Sequence, residues 1–90
     1  MADKISGLVT NVVDGDTFDV KVTWLSQYNK NNYGDSERVR INKIDAPELA
    51  YPGGLAAKEK LARRIDGKIV NLTIYSRDTY GRLICDVSVS

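Results

Sequence analysis

The chain contains no histidine and a single cysteine, Cys85. Without histidine there is no Ser–His–Asp triad, no imidazole base and no His-ligated zinc. One cysteine excludes an internal disulfide framework and a multi-cysteine metal site. No apolar run approaches the roughly 20 residues that a bilayer-crossing helix needs, so no membrane partner is expected. The segment Met1–Ser6 lacks a basic-then-apolar leader pattern. On that reading the chain as given is cytoplasmic, or a mature fragment whose leader was removed. Charge of one sign is lacking too: 13 basic and 12 acidic side chains leave a net charge of +1. Bulk charge makes no case for a polyanionic partner, so any such case rests on where single arginines sit. An enzyme drawn from this inventory works with carboxylates, guanidinium groups, hydroxyls and a hard metal bound through oxygen.

What is present suits one domain spanning residues 1–90, with 42 % hydrophobic and 28 % charged residues. Residues 5–13 read as a strand, with Ile5, Gly7, Val9 and Val13 on alternate positions. Asp14-Gly15 is a hairpin signal. Residues 17–24 alternate, with Phe18, Val20, Val22 and Trp24 on the inner face, so both aromatics read as core or barrel-rim residues. The polar stretch 25–36 reads as a solvated connector or a substrate-facing loop. Residues 38–44 form a third strand, with Val39 and Ile41 inward, ending near Asp45 because Pro47 cannot join a ladder. After Pro52-Gly53-Gly54, the four-residue spacing of Ala57, Leu61 and Ile65 marks a helix stopped at Gly67. Lys68–Tyr75 and Leu83–Val89 complete the strands, with Cys85 in the core and a turn at 76–81. Three strands, a helix and two strands is the order of a mainly β, five-stranded OB-fold barrel with its helix between strands 3 and 4.

Two acidic clusters stand where strands meet turns: Asp14-Gly15-Asp16-Thr17, and Ile44-Asp45-Ala46-Pro47-Glu48. Each alone is an ordinary turn. Adjacent strands could bring Asp16 and Asp45 together, and like charges converge only with a counter-charge, such as a hard divalent cation. Arg40 and Arg82 flank them in sequence, and paired guanidinium forks match phosphate oxygens.

These three segments, Asp14–Thr17, Val39–Glu48 and Asp78–Arg82, come in the order seen in the staphylococcal thermonuclease family, which the chain resembles over roughly residues 5–89. The resemblance implies a calcium-dependent nuclease that cuts DNA and RNA to 3′-phosphate products. It implies metal ligands at Asp16, Asp45 and Ala46, the last through its backbone carbonyl where the family usually has threonine. It matches Arg40 and Arg82 to the phosphate-contacting arginines and Glu48 to the residue that activates water. Tyr80 matches a tyrosine near the bound phosphate, and Asp14, with Thr17, supports the metal. Thr79 replaces a lysine, which weakens the phosphate pocket. Family nucleases continue into further helices after the fifth strand, so a homo-oligomer that covers the surface left open is an expectation of the resemblance. So is secretion, which is frequent among relatives. The alternative reading is a non-catalytic nucleic-acid- or protein-binding module, or an inactive minimal domain, on the same fold.

Overall fold

The computed structural model describes residues 2–90. Five strands, β1 (Asp3–Val12), β2 (Thr17–Leu25), β3 (Ser36–Ile41), β4 (Ile69–Arg77) and β5 (Leu83–Val89), and one helix, α1 (Gly54–Ile65), follow the expected order. The strands close in the order β1-β2-β3-β5-β4. All neighbours are antiparallel except β3 and β5, whose parallel pairing closes the barrel.

Alternate inward residues build the core, as period-two patterning requires. Phe18, Val20, Val39, Val70, Leu72, Leu83 and Cys85 are buried inside the barrel, with Ile5, Val9 and Val12 from β1. Ile65 of α1 is buried with them, while Leu61 and Ala62 are partly covered. The helix enters through Gly53 at φ 84 and is left at Gly67, φ 71, conformations that glycine adopts without strain. Arg63 and Arg64 in its last turn face the negative end of the helix dipole.

Three bulges interrupt the alternation, each inserting one residue and sharpening the local twist that closure needs. In β1 the register steps from Val9↔Val20 to Asn11↔Asp19, so the inward phase resumes at Val12 and not at the expected Val13. In β2 it steps from Val22 to Trp24 across one β1 residue, which leaves Thr23 as the extra residue. Trp24 is therefore turned outward and is 53 % exposed, where the uninterrupted alternation had placed it inward with Phe18. In β4 the pairing skips Tyr75, whose ring stands outside the barrel.

The third strand starts earlier and ends sooner than its pattern suggested, at Ser36 and Ile41, because the chain turns at Lys43 with φ 64. The stretch before it is fastened to β1. Asp3, buried at the start of β1, accepts hydrogen bonds from the Lys30 and Asn31 amides, the Asn31 side chain and the Tyr33 hydroxyl.

Candidate active site

Both acidic clusters lie at one end of the barrel, and backbone pairing brings them together. Thr17 at the start of β2 stands opposite Arg40 near the end of β3. One step outward, the Ile41 amide donates to the Asp16 carbonyl at 2.8 Å. Asp16 is thus locked beside the end of β3, and its residue is only 6 % exposed. A buried carboxylate needs donors. Its Oδ1 accepts the Thr17 hydroxyl at 2.8 Å, and its Oδ2 accepts the Ala46 amide at 3.1 Å. Asp14 caps the turn by accepting the Asp16 amide at 3.0 Å.

Arg40 sits between the clusters. Its Nη2 lies 3.6 Å from Asp16 Oδ2 and 3.5 Å from Asp45 Oδ1. The two carboxylates differ sharply: the Asp45 side chain is 96 % exposed, while Arg40 keeps 25 % of its surface. Burial pushes the Asp16 carboxyl up, but hydrogen bonding with Asp14, the Ala46 amide, the Thr17 hydroxyl and the Arg40 charge together hold it below its ordinary value. Asp14 moves the other way, raised by burial and by its neighbour Asp16. Two adjacent acids pushed apart in this manner mark a strongly structured electrostatic site.

Arg82 precedes β5, and its strand neighbour Ile84 pairs with Arg40 across the β3–β5 ladder. Its guanidinium is oriented from behind by Asp78, which accepts Nε at 2.7 Å and also the Arg82 and Tyr80 backbone amides. Burial raises the Asp78 carboxyl, and the Arg82 amide and guanidinium outweigh it and hold it below its ordinary value. The Tyr80 ring lies 5.3 Å from the Arg82 guanidinium carbon. Tyr80 is 83 % exposed, so this face is open to a ligand. Sequence reasoning gave Asp78 no role; its signal is the i,i+4 spacing to Arg82 around a tight turn.

Glu48 lies on the exposed segment between β3 and α1, and among the described residues its carboxylate makes no hydrogen bond. Its backbone carbonyl accepts the Tyr51 amide at 3.0 Å. Two glycines fix this segment by close approach, another feature absent from the sequence reading. A Cβ on Gly15 would stand 2.7 Å from those of Ala46 and Ala57. A Cβ on Gly54 would overlap the Glu48 carbonyl. Asp14, Asp16, Thr17, Arg40, Asp45 and Ala46 therefore form one connected cluster, with Glu48 on the adjoining loop and Arg82 and Tyr80 on the neighbouring strand entry.

Among the described residues no three acidic, histidine or cysteine side chains come close enough to form a cage for a metal. The donor set nevertheless suits a hard cation: Asp16 and Asp45 present carboxylate oxygens on either side of one positive group. An ion with flexible coordination completes such a site with backbone carbonyls and water.

Comparison with known proteins extends the pattern. A family model described as staphylococcal nuclease homologue matches residues 38–90, the stretch that carries Arg40, Asp45, Glu48 and Arg82. A probable staphylococcal-like nuclease of Oryza sativa subsp. japonica is 44 % identical over 50 residues, 56 % of this chain and 15 % of that protein. A protein named probable endonuclease lcl3, from Schizosaccharomyces japonicus, is 32 % identical over 104 residues, covering 96 % of this chain and 45 % of its own length. An uncharacterized endonuclease of Escherichia coli O157:H7 is 32 % identical over 83 residues, 92 % of this chain and 48 % of that protein. The chain thus spans half or less of the length of these relatives. With the barrel, its helix and the ordered motifs in register over the matched residues, the chain belongs to the staphylococcal nuclease homologue family.

Proposed function

We propose that the chain is a calcium-dependent phosphodiesterase that hydrolyses DNA and RNA and leaves 3′-phosphate ends. The observation that carries this reading is the convergence of Asp16 and Asp45 on Arg40, at 3.6 and 3.5 Å, in an otherwise near-neutral protein. Asp16, Asp45 and the backbone at Ala46 would hold the metal. Calcium, when bound, offsets phosphodiester charge and orients ligands around it.

The remaining work falls to this chain's own side chains. A phosphodiester resists attack because it is an anion. Arg40 and Arg82 offer fixed donors to the nonbridging oxygens, whose negative charge grows as phosphorus becomes five-coordinate. Asp78 holds the Arg82 fork in place, so little reorganisation accompanies the reaction. Glu48, on an open loop, accepts a hydrogen bond from the attacking water and takes its proton as the new P–O bond forms. The P–O5′ bond breaks, and the departing oxygen gains a proton from solvent. The products are a 3′-phosphate and a 5′-hydroxyl. Tyr80 flanks the phosphate position, and Thr17 and Asp14 keep the Asp16 carboxylate aimed.

The test is cleavage of denatured DNA by the parent chain and Glu48→Gln, each with calcium and with chelator. The expected result is calcium-dependent cutting that falls about 10²–10⁴-fold in the variant. Equal activity in both proteins would trace the cutting to a contaminant, and a folded parent that cuts nothing refutes the reading.

A further inference from the structure

The connection that carries Glu48, with the first turn of α1, leaves large apolar side chains open to solvent. Leu49, Tyr51 and Leu55 are 47 %, 63 % and 60 % exposed. Apolar exposure gathered beside a reacting centre marks a ligand-facing surface. Tyr51 is its aromatic member, and its backbone is firmly held. The Tyr51 amide donates to the Glu48 carbonyl at 3.0 Å, and the Tyr51 carbonyl accepts the Gly54 amide at 3.0 Å. Two consecutive turns thus run from Glu48 through Tyr51 into the helix. Their packing is close, since a Cβ on Gly54 would overlap the Glu48 carbonyl and stand 2.8 Å from the Leu49 Cα.

We propose that the Tyr51 ring stacks on the nucleobase 5′ of the scissile phosphodiester, the residue that keeps the 3′-phosphate, on a single-stranded substrate. The inference rests on the nuclease reading. Position is the first argument. A turn closed by the Glu48–Tyr51 hydrogen bond keeps the two Cα atoms within about 7 Å. Tyr51 therefore lies on the Glu48 side of the site, at the reach of a nucleotide whose phosphate meets the water that Glu48 holds.

The direction of displacement is the second argument. Attacking and leaving oxygens stand on opposite sides of phosphorus. With the water on the Glu48 side, the nucleoside carrying O5′ departs on the far side. The nucleotide that remains beside Glu48 is the 5′ one. Chemistry is the third argument. The Tyr80 ring is already taken up by the Arg82 guanidinium at 5.3 Å. The Tyr51 ring has no such cation among the described residues, and its hydroxyl makes no hydrogen bond there. An aromatic face accepts any base, provided that the strand is unpaired and can present it. A ring whose backbone is already fixed loses little freedom on stacking.

The experiment uses an end-labelled oligothymidylate with one tetrahydrofuran abasic residue at its centre. The parent, Tyr51→Ala and Tyr51→Phe cut it in the presence of calcium, and the products are resolved on a sequencing gel. The ordinary bonds in each lane are an internal standard, so a general loss of folding or catalysis cancels. In the parent, the bond on the 3′ side of the abasic residue lacks its upstream base. It is expected to be cut about 5–150-fold more slowly than the ordinary bonds, the worth of one stacked base. In Tyr51→Ala that deficit is expected to shrink toward parity, and in Tyr51→Phe to persist. The bond on the 5′ side, where the abasic residue departs, is expected to keep one relative rate in all three proteins. No deficit in the parent, or a deficit in Tyr51→Ala as large as the parent's, overturns the stacking while the cut ordinary bonds uphold the nuclease reading. A change in Tyr51→Ala at the 5′ bond instead overturns the assignment to the upstream base. A parent that cuts no bond overturns the nuclease reading and the stacking together.

Discussion

Replacing Arg40 with methionine removes the cation between Asp16 and Asp45 while keeping an unbranched apolar stem. The cost follows from the geometry. A unit pair at the 3.6 Å separation of Arg40 and Asp16 is worth about 4–5 kcal/mol gross at an effective dielectric near 20. Desolvation of both groups offsets much of that. The Asp45 half adds little, since its carboxylate is almost fully exposed. Asp16 keeps the Thr17 and Ala46 donors, so it is not orphaned completely. The net expectation is a loss of roughly 2–3 kcal/mol, against a total of about 5–13 kcal/mol for a domain of this size. That corresponds to a fall in Tm of the order of 10–20 °C. Urea unfolding in chelator measures it, with Asp16→Asn and the double variant completing a cycle. The double variant should lose less than the sum of the singles, because no buried carboxylate is left unpaired. A loss below about 0.5 kcal/mol for Arg40→Met, or strict additivity in the cycle, would refute the electrostatic account of this cluster. Calcium, if held by Asp16 and Asp45, should raise the Tm of Arg40→Met more than that of the parent.

Three further outcomes are expected. Asp3 has its carboxyl lowered from 3.8 to about 2, chiefly by the Tyr33 hydroxyl and the Lys30 amide. Its contribution is therefore complete above the ordinary value and lost as pH falls toward the folded one. Asp3→Asn should be less stable at neutral pH, and urea midpoints of the two proteins should converge between pH 3.8 and about 2. Burial pushes the Cys85 thiol up to about 12, so an aromatic disulfide reagent should leave the native protein unlabelled and react rapidly in urea. Gly54→Ala should destabilise by about 1–3 kcal/mol despite the better helix propensity of alanine, because the new methyl displaces the Glu48 carbonyl. The same displacement should lower nuclease activity more than stability, and the reverse order in matched cleavage and unfolding assays would count against it.

Most of the barrel was legible because its strands carry strict alternation. Val70, Leu72 and Ile74, or Leu83 and Cys85, can satisfy a period of two in only one way, and all are buried. What the pattern hid were the bulges. Thr10, Thr23 and Tyr75 resemble their neighbours in strand propensity, and nothing local says that the partner strand skips them. The cost of missing Thr23 was the side of Trp24, since one extra residue reverses every later side chain. The convergence of Asp16 and Asp45 was legible for a different reason: both lie in short motifs at strand ends, where pairing of β2 with β3 leaves them little freedom to separate. Asp78 and the glycines at 15 and 54 were not, because orientation and close approach depend on distances that no spacing encodes.

The site divides into a rigid half and an adjustable half. Thr17 and Arg40 pair on the β2–β3 ladder, and Asp16 is tied to its end through the Ile41 amide; Asp16 and Thr17 are also buried. Asp45 and Glu48 lie on the connection between β3 and α1, exposed, and secured chiefly through the Ala46 amide, the Tyr51 turn and the two close-packed glycines. A carboxylate held on the ladder cannot follow a ligand, whereas one on the connection can close onto it at low cost. Arg40 spans both halves, so its charge offsets the repulsion between the two carboxylates. Substitutions in the ladder should therefore cost stability first, and substitutions in the connection should cost catalysis first. Gly54 joins the two at the start of α1, which makes the position of Glu48 depend on how the helix sits against the barrel.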